Sequence, residues 1–145
     1  MAFWDARDPY LVLLRRWLDA FRAAKSLADS YDKAWRPMDT ENNVLAKLLR
    51  SYCQAYLISS DDQKNFRHGD SDLFLLRKIL TAYRAGVPTL PDTSELAWRP
   101  QDSERDLLAK ILRCLSLEKV NTDATKNFMP SDNAVWCVRK IVGLL

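Results

Sequence analysis

The sequence predicts an all-α protein: five capped amphipathic helices with a period of about 31 residues, joined by connectors of roughly ten residues into one domain, 1–145. Three observations point there. A long stretch recurs along the chain, apolar residues inside each copy follow helical spacing, and only three glycines are present, too few for a chain of tight hairpins. Such units assemble as a compact bundle or a short solenoid.

The repeat is visible without gaps in its helical part. AWRPMDTENNVLAKLLR at 34–50 returns as AWRPQDSERDLLAKILR at 97–113, with NFRHGDSDLFLLRKIL at 65–80 between them and NFMPSDNAVWCVRKIV at 127–142 after them. A fifth copy begins near Trp4. Each copy opens on an aromatic residue: Trp4, Trp35, Phe66, Trp98 and Phe128. Four positions later stands an aspartate in every copy (Asp8, Asp39, Asp70, Asp102, Asp132), and twelve positions after the aromatic a basic residue (Arg16, Lys47, Lys78, Lys110, Lys140). Fivefold agreement at three positions establishes the repeat.

Each position has a physical reading. The aspartates precede helical runs and read as N-caps, whose carboxylates accept from the free N–H groups of the first turn. Pro9 reads as a first helical residue after its cap. Glu41, Asp72 and Glu104 add first-turn negative charge that suits the helix dipole. Apolar residues then recur at helical spacing, as in Leu45, Leu48, Leu49 and Tyr52, or Leu108, Ile111, Leu112 and Leu115. Each helix should run about 14–18 residues, or roughly 21–27 Å. The aromatics should fold onto their own helix start or onto the neighbouring helix.

The connectors are rich in Ser, Asp, Asn and Lys, apart from GVPTLPD at 86–92, which reads as extended. Ten extended residues span about 33 Å, enough either for a return along a helix or for a loose turn. Parallel and antiparallel orders are both open at this point. A second pattern overlies the first: the residue before the basic one alternates Arg15, Ala46, Arg77, Ala109, Arg139. Odd and even helices should therefore have different surroundings.

Candidate chemistry is sparse. No stretch approaches the roughly 18 apolar residues of a membrane span, and residues 1–9 carry Asp5, Arg7 and Asp8 where a secretory leader needs an apolar run. That reads as a protein made in the cytoplasm of its producer, with no membrane partner. Cys53, Cys114 and Cys137 are odd in number, widely spaced and within helical segments, which reads as buried apolar packing rather than disulfides or a zinc site. The lone His68 precedes a helix without a second histidine and reads as a solvated loop residue. No nucleophile elbow, phosphate loop or metal motif is present. The expectation is therefore no enzyme activity, no cofactor and no metal. A net charge of +3 with many balancing acids argues against nucleic acid.

What is left for function is the basic position. On a helical wheel it lies about 200° from the leading apolar residue, so the core does not require it. Arg16, Lys47, Lys78, Lys110 and Lys140, widened by Arg15, Arg77 and Arg139, form a candidate outward face for an acidic protein partner.

The helix core resembles a short repeat of tailed-bacteriophage and prophage structural proteins, D-[TS]-E-x-x-L-L-x-K-I-L. The full match lies at 102–112, with 39–49 (Val44 and Leu48 for Leu and Ile) and 70–80 close; copies one and five depart from it with Asp8-Pro9-Tyr10 and Asp132-Asn133-Ala134. The resemblance covers about a dozen residues per copy and brings no catalytic residue. It implies a non-enzymatic virion component, an adaptor or accessory subunit at the tail, fibre or head–tail region. Such a subunit would bind other virion proteins and its own copies in a symmetric oligomer, and would be made in the host bacterial cytoplasm. The alternative is a soluble helical-repeat interaction module, an adaptor or effector unrelated to virions.

Overall fold

The structure is a computed structural model and describes residues 7–27, 34–58, 67, 69–91, 93 and 96–145. Among them are five α-helices: α1 (Tyr10–Ala24), α2 (Glu41–Ala55), α3 (Asp72–Gly86), α4 (Glu104–Glu118) and α5 (Ala134–Leu144), with a short 3-10 turn at Ala124–Lys126 before the last. The fold is all-α, with one helix per repeat. Four helices have 15 residues, as the periodicity predicts; α5 has 11.

Each helix packs against its two neighbours in sequence, and α5 packs back against α1. The result is a closed ring. Side-chain bonds fix the direction. Asn42, at the start of α2, donates to the Asp70 carbonyl and the Asp72 carboxylate at the start of α3, at 3.0 and 2.8 Å. At the other end, Arg22 of α1 donates to Ser51 of α2, and Tyr83 of α3 to Glu118 of α4. Starts meet starts and ends meet ends, so these helices run parallel.

The apolar stripe fills the inside. Leu14, Leu45, Leu76, Leu108 and Val138 occupy equivalent positions and are all fully buried, as are Leu18, Leu49, Leu80, Leu112 and Val142 one turn on. In an open solenoid the two terminal units would each leave one apolar side uncovered. Ring closure removes both sides at once.

The helix starts correct the reading of the aspartates. The N-cap is the following residue: Thr40, Ser71, Ser103 and Asn133 each accept from the backbone N–H three residues on. Ser103 and Asp106 complete a reciprocal capping box. Pro9, rather than Asp8, occupies the cap position of α1, and Tyr10 is the first helical residue. The aspartates instead close the preceding turn. Asp39, Asp70, Asp102 and Asp132 accept from the N–H of Arg36, Arg67, Arg99 and Met129 at 2.8–2.9 Å, and their own N–H groups return a bond to the same residues. A carboxylate one residue before a Ser or Thr satisfies the turn, and the hydroxyl then satisfies the helix. Proline suits the second position of that turn in three copies. The third copy has Gly69 with φ +94°, a conformation that favours glycine.

Helix ends also repeat. Ser26, Leu57 and Val120 stand at equivalent positions with φ of 54°, 55° and 51°. Around each, paired bonds such as Asn121 N–H to Ser116 C=O and Val120 N–H to Leu117 C=O form a Schellman cap. That conformation costs a non-glycine residue about 1–2 kcal/mol. The third helix ends differently. The segment after Gly86 is not simply extended: the Leu90 N–H closes a turn onto the Val87 carbonyl, with Pro88 second in the turn.

Candidate interaction surface

The basic position does not form an outward ladder. Lys47, Lys78, Lys110 and Lys140 reach back along their helices to Asp39, Asp70, Asp102 and Asp132, with Nζ–Oδ2 distances of 2.6, 2.6, 2.5 and 2.6 Å. All eight side chains are about one-tenth exposed or less. Arg16 does the same with Asp8 at 2.8 Å, from a more exposed position. The lysines also donate to the connector just before the aromatic: Lys47 to Ala34, Lys110 to Ala97 and Lys140 to Asn127, at 2.8–2.9 Å. One ammonium thus ties a helix, its leading turn and its connector together.

A helical wheel places this position away from the core of one helix. It does not register the chain folding back over that face, which is why the lysine turns inward. Burial alone would raise the Asp39 and Asp70 carboxyls. The Lys47 and Lys78 ammoniums and the backbone N–H of Arg36 and Arg67 outweigh it and hold both below the ordinary carboxylate range.

Arg15, Arg77 and Arg139 are absorbed as well. Arg15 donates to the Pro37 carbonyl, Arg77 to that of Pro100, and Arg139 to that of Asp8. Each is a bond from an odd copy to the leading turn of the next copy round the ring, and the last one crosses the α5–α1 seam. Even copies make the same kind of link from another position. Asn42 donates to Asp70, and Arg105 donates to Asp132 and Pro130. Where odd copies carry arginine, Ala46 and Ala109 are buried. The alternation thus records which residue makes the link: arginine at this position in odd copies, Asn42 or Arg105 in even ones.

The aromatics pack on the preceding helix rather than on their own helix start. Trp35 lies under the Arg15 guanidinium at 4.7 Å and donates from its indole to Asp19 at 2.9 Å. Trp98 lies under Arg77 at 4.9 Å, and Phe128 between Arg105 and Arg113 at 4.8 and 4.6 Å. Trp4, Phe66 and His68 lie outside the described residues.

The three cysteines are buried free thiols. Burial pushes Cys114 up to about 12 and Cys137 up to about 11, so both are protonated and unreactive at neutral pH. Among the described residues no group of three or more His, Cys, Asp or Glu could hold a metal ion, and no helix is long and apolar enough to cross a membrane.

What faces outward is a groove over α4. Its larger part, about 660 Å³, is walled by Leu96, Leu117, Phe128 and Pro130; a second part of about 430 Å³ shares Arg113, Phe128 and Pro130 and continues to Arg105. Leu117 is half exposed. The groove joins an apolar floor to two arginines stacked on one phenylalanine, a combination common where proteins dock. The sequence reading missed it, because it needs two connectors to approach one helix. A trace was present: Arg50 and Arg113 are basic where the other copies have Asp19, Thr81 and Gly143, so the outer face was free to vary.

No family model, no curated protein and no solved structure matches this chain.

Proposed function

We propose that this protein is a non-enzymatic protein-binding scaffold and, on the strength of its helical repeat, a structural component of a tailed-bacteriophage particle. Its place would be that of an adaptor or accessory subunit at the tail, fibre or head–tail region, bound to other virion proteins and repeated with the particle's symmetry. The observation that carries the scaffold reading is the fate of the recurring charges. Asp39, Asp70, Asp102 and Asp132 and their four lysines are consumed in internal ties. Among the described residues the outer surface also offers apolar area with stacked arginines, chiefly the Leu117–Phe128–Arg113 groove. The D-[TS]-E-x-x-L-L-x-K-I-L resemblance supports the virion setting, where symmetry multiplies individually weak contacts.

Mass spectrometry and cross-linking of purified particles test the proposal. The expected result is this chain in the particle, cross-linked to a virion protein through the α4 groove, with the cross-link lost in Leu117→Ser/Arg113→Glu. Absence from the particle, together with a stable complex with a cellular protein, would replace the virion reading with that of a soluble adaptor.

A further inference from the structure

The C-terminal mouth of the ring departs from the aliphatic pattern of the layers above it. Where those layers hold leucine, isoleucine and valine apart from Trp17, the last one sets Phe21, Tyr52 and Tyr83 beside Leu115 and Leu145, joined by Tyr56 from the end of α2. Phe21 stacks on Tyr52 with ring centres 3.8 Å apart; Tyr52 meets Tyr83 edge-on at 5.6 Å, and Tyr83 stacks with Tyr56 at 6.1 Å. These rings wall a cavity of about 70 Å³ that also touches Lys25, Lys119, Glu118 and Leu145. A cavity that size exceeds what one water needs and suits a head group of a few carbon atoms.

Three features give it a preference for positive charge. The C-terminal ends of the parallel helices converge there, and with them the negative ends of the helix dipoles. Glu118 sits among the tyrosines and accepts from the Tyr83 hydroxyl. Burial pushes the Tyr83 and Tyr56 hydroxyls up and Glu118 adds to both, so both phenols stay neutral with electron-rich faces. The protein already places a cation there: the Lys25 ammonium lies over the Tyr56 ring at 5.1 Å.

A simple aromatic plug would need none of this polarity. The Tyr56 hydroxyl is buried without a protein partner, and a buried orphan of that kind is costly unless something meets it. Tyr56 is also placed deliberately. A Cβ at Gly86 would lie 2.1–2.6 Å from its Cγ, Cδ1 and Cβ, so only glycine at the end of α3 lets the ring lie there.

We propose that this mouth binds a small alkylammonium ion, held over the faces of Tyr52, Tyr56 and Tyr83 and paired with Glu118, with the lining lysines Lys25, which already lies over Tyr56, and Lys119 as built-in competitors. The site is separate from the α4 groove and does not depend on the proposed virion role.

The test is a titration of isotope-labelled full-length protein with trimethylammonium chloride, followed by NMR of the aromatic rings. Sodium chloride and tert-butanol, a neutral molecule of similar shape, serve as controls. The expected result is a saturable shift of the Tyr52, Tyr56 and Tyr83 ring signals with trimethylammonium only. Glu118→Gln should weaken binding about tenfold, the loss of one charge-assisted contact. Lys25→Ala should tighten it several-fold. Lys25 is exposed, so that variant stays informative if Glu118→Gln fails to fold. An equal response to tert-butanol, no saturable shift, or unchanged or weaker binding in Lys25→Ala would overturn the proposal.

Discussion

At the scale of single residues, the fold rests on an aspartate–lysine pair set eight positions apart and repeated round the ring. Each lysine bonds a carboxylate, and in three copies also a connector carbonyl, while little of it reaches solvent. Removing one member leaves the other charge buried. Lys47→Met should therefore destabilise the protein by about 3 kcal/mol in urea unfolding, the low end for a broken buried pair, because Asp39 keeps its bond from the Arg36 N–H. The pair also sets the acid response. Asp39 and Asp70 are held below the ordinary range in the fold, so their contribution is complete above the unfolded value, about pH 4, and is lost as pH falls through the folded values. Unfolding at pH 7 and pH 3 should show a smaller acid loss in Lys47→Met than in the parent. At the helix ends the sign reverses. Val120 is 80% exposed and holds a left-handed φ of 51°, so Val120→Gly relieves strain and loses little packing. It should stabilise the protein by about 1 kcal/mol, read as a rise in melting temperature.

At the scale of the element, the five helices and their period were legible because every copy repeats the apolar spacing. The caps were misplaced by one residue for a local reason. Aspartate and the Ser, Thr or Asn after it are all good N-cap residues, and here both are used, one for the turn and one for the helix. The deciding signal was present in Ser103-x-x-Asp106, a capping-box spacing that starts from the serine. Ser103→Ala should cost about 1 kcal/mol, whereas moving the cap to Asp102 would predict almost no loss. The basic face was misread because amphipathicity was judged for a helix in isolation, without the connector that covers Lys47 and Lys110. The arginine alternation was visible in the sequence, but its meaning needed the neighbouring turn that accepts from Arg77 or Arg105. At the end of α3 two effects oppose each other. Alanine is the better helix former, yet its Cβ would strike the base of the Tyr56 side chain. Because the contact is with the root of that side chain rather than its tip, the clash should win. Gly86→Ala should lose about 1–3 kcal/mol and shift the Tyr56 ring signals.

At the scale of the whole molecule, closure does what terminal capping units do in an open solenoid. The order of the helices was not readable from the sequence, since a ten-residue connector can return along a helix or turn loosely. Contacts at both ends settle it: Asn42 with Asp72 at the starts, Arg22 with Ser51 at the ends. Alignment of the helices also explains the two mouths. The starts carry Glu41, Asp72 and Glu104, and burial together with the other two carboxylates raises Glu104 above its usual range. The ends carry the aromatic cavity. The ring closes at the seam, where α5 meets α1 and Arg139 bonds the Asp8 carbonyl. Closure is tested most directly by the distance between spin labels on cysteines introduced at the exposed positions Pro9 and Ser131, the native cysteines being buried. A closed ring places these helix starts one interhelical spacing apart, predicting about 10–20 Å between labels; a distance of about 35 Å or more, four spacings of an open row, would contradict it.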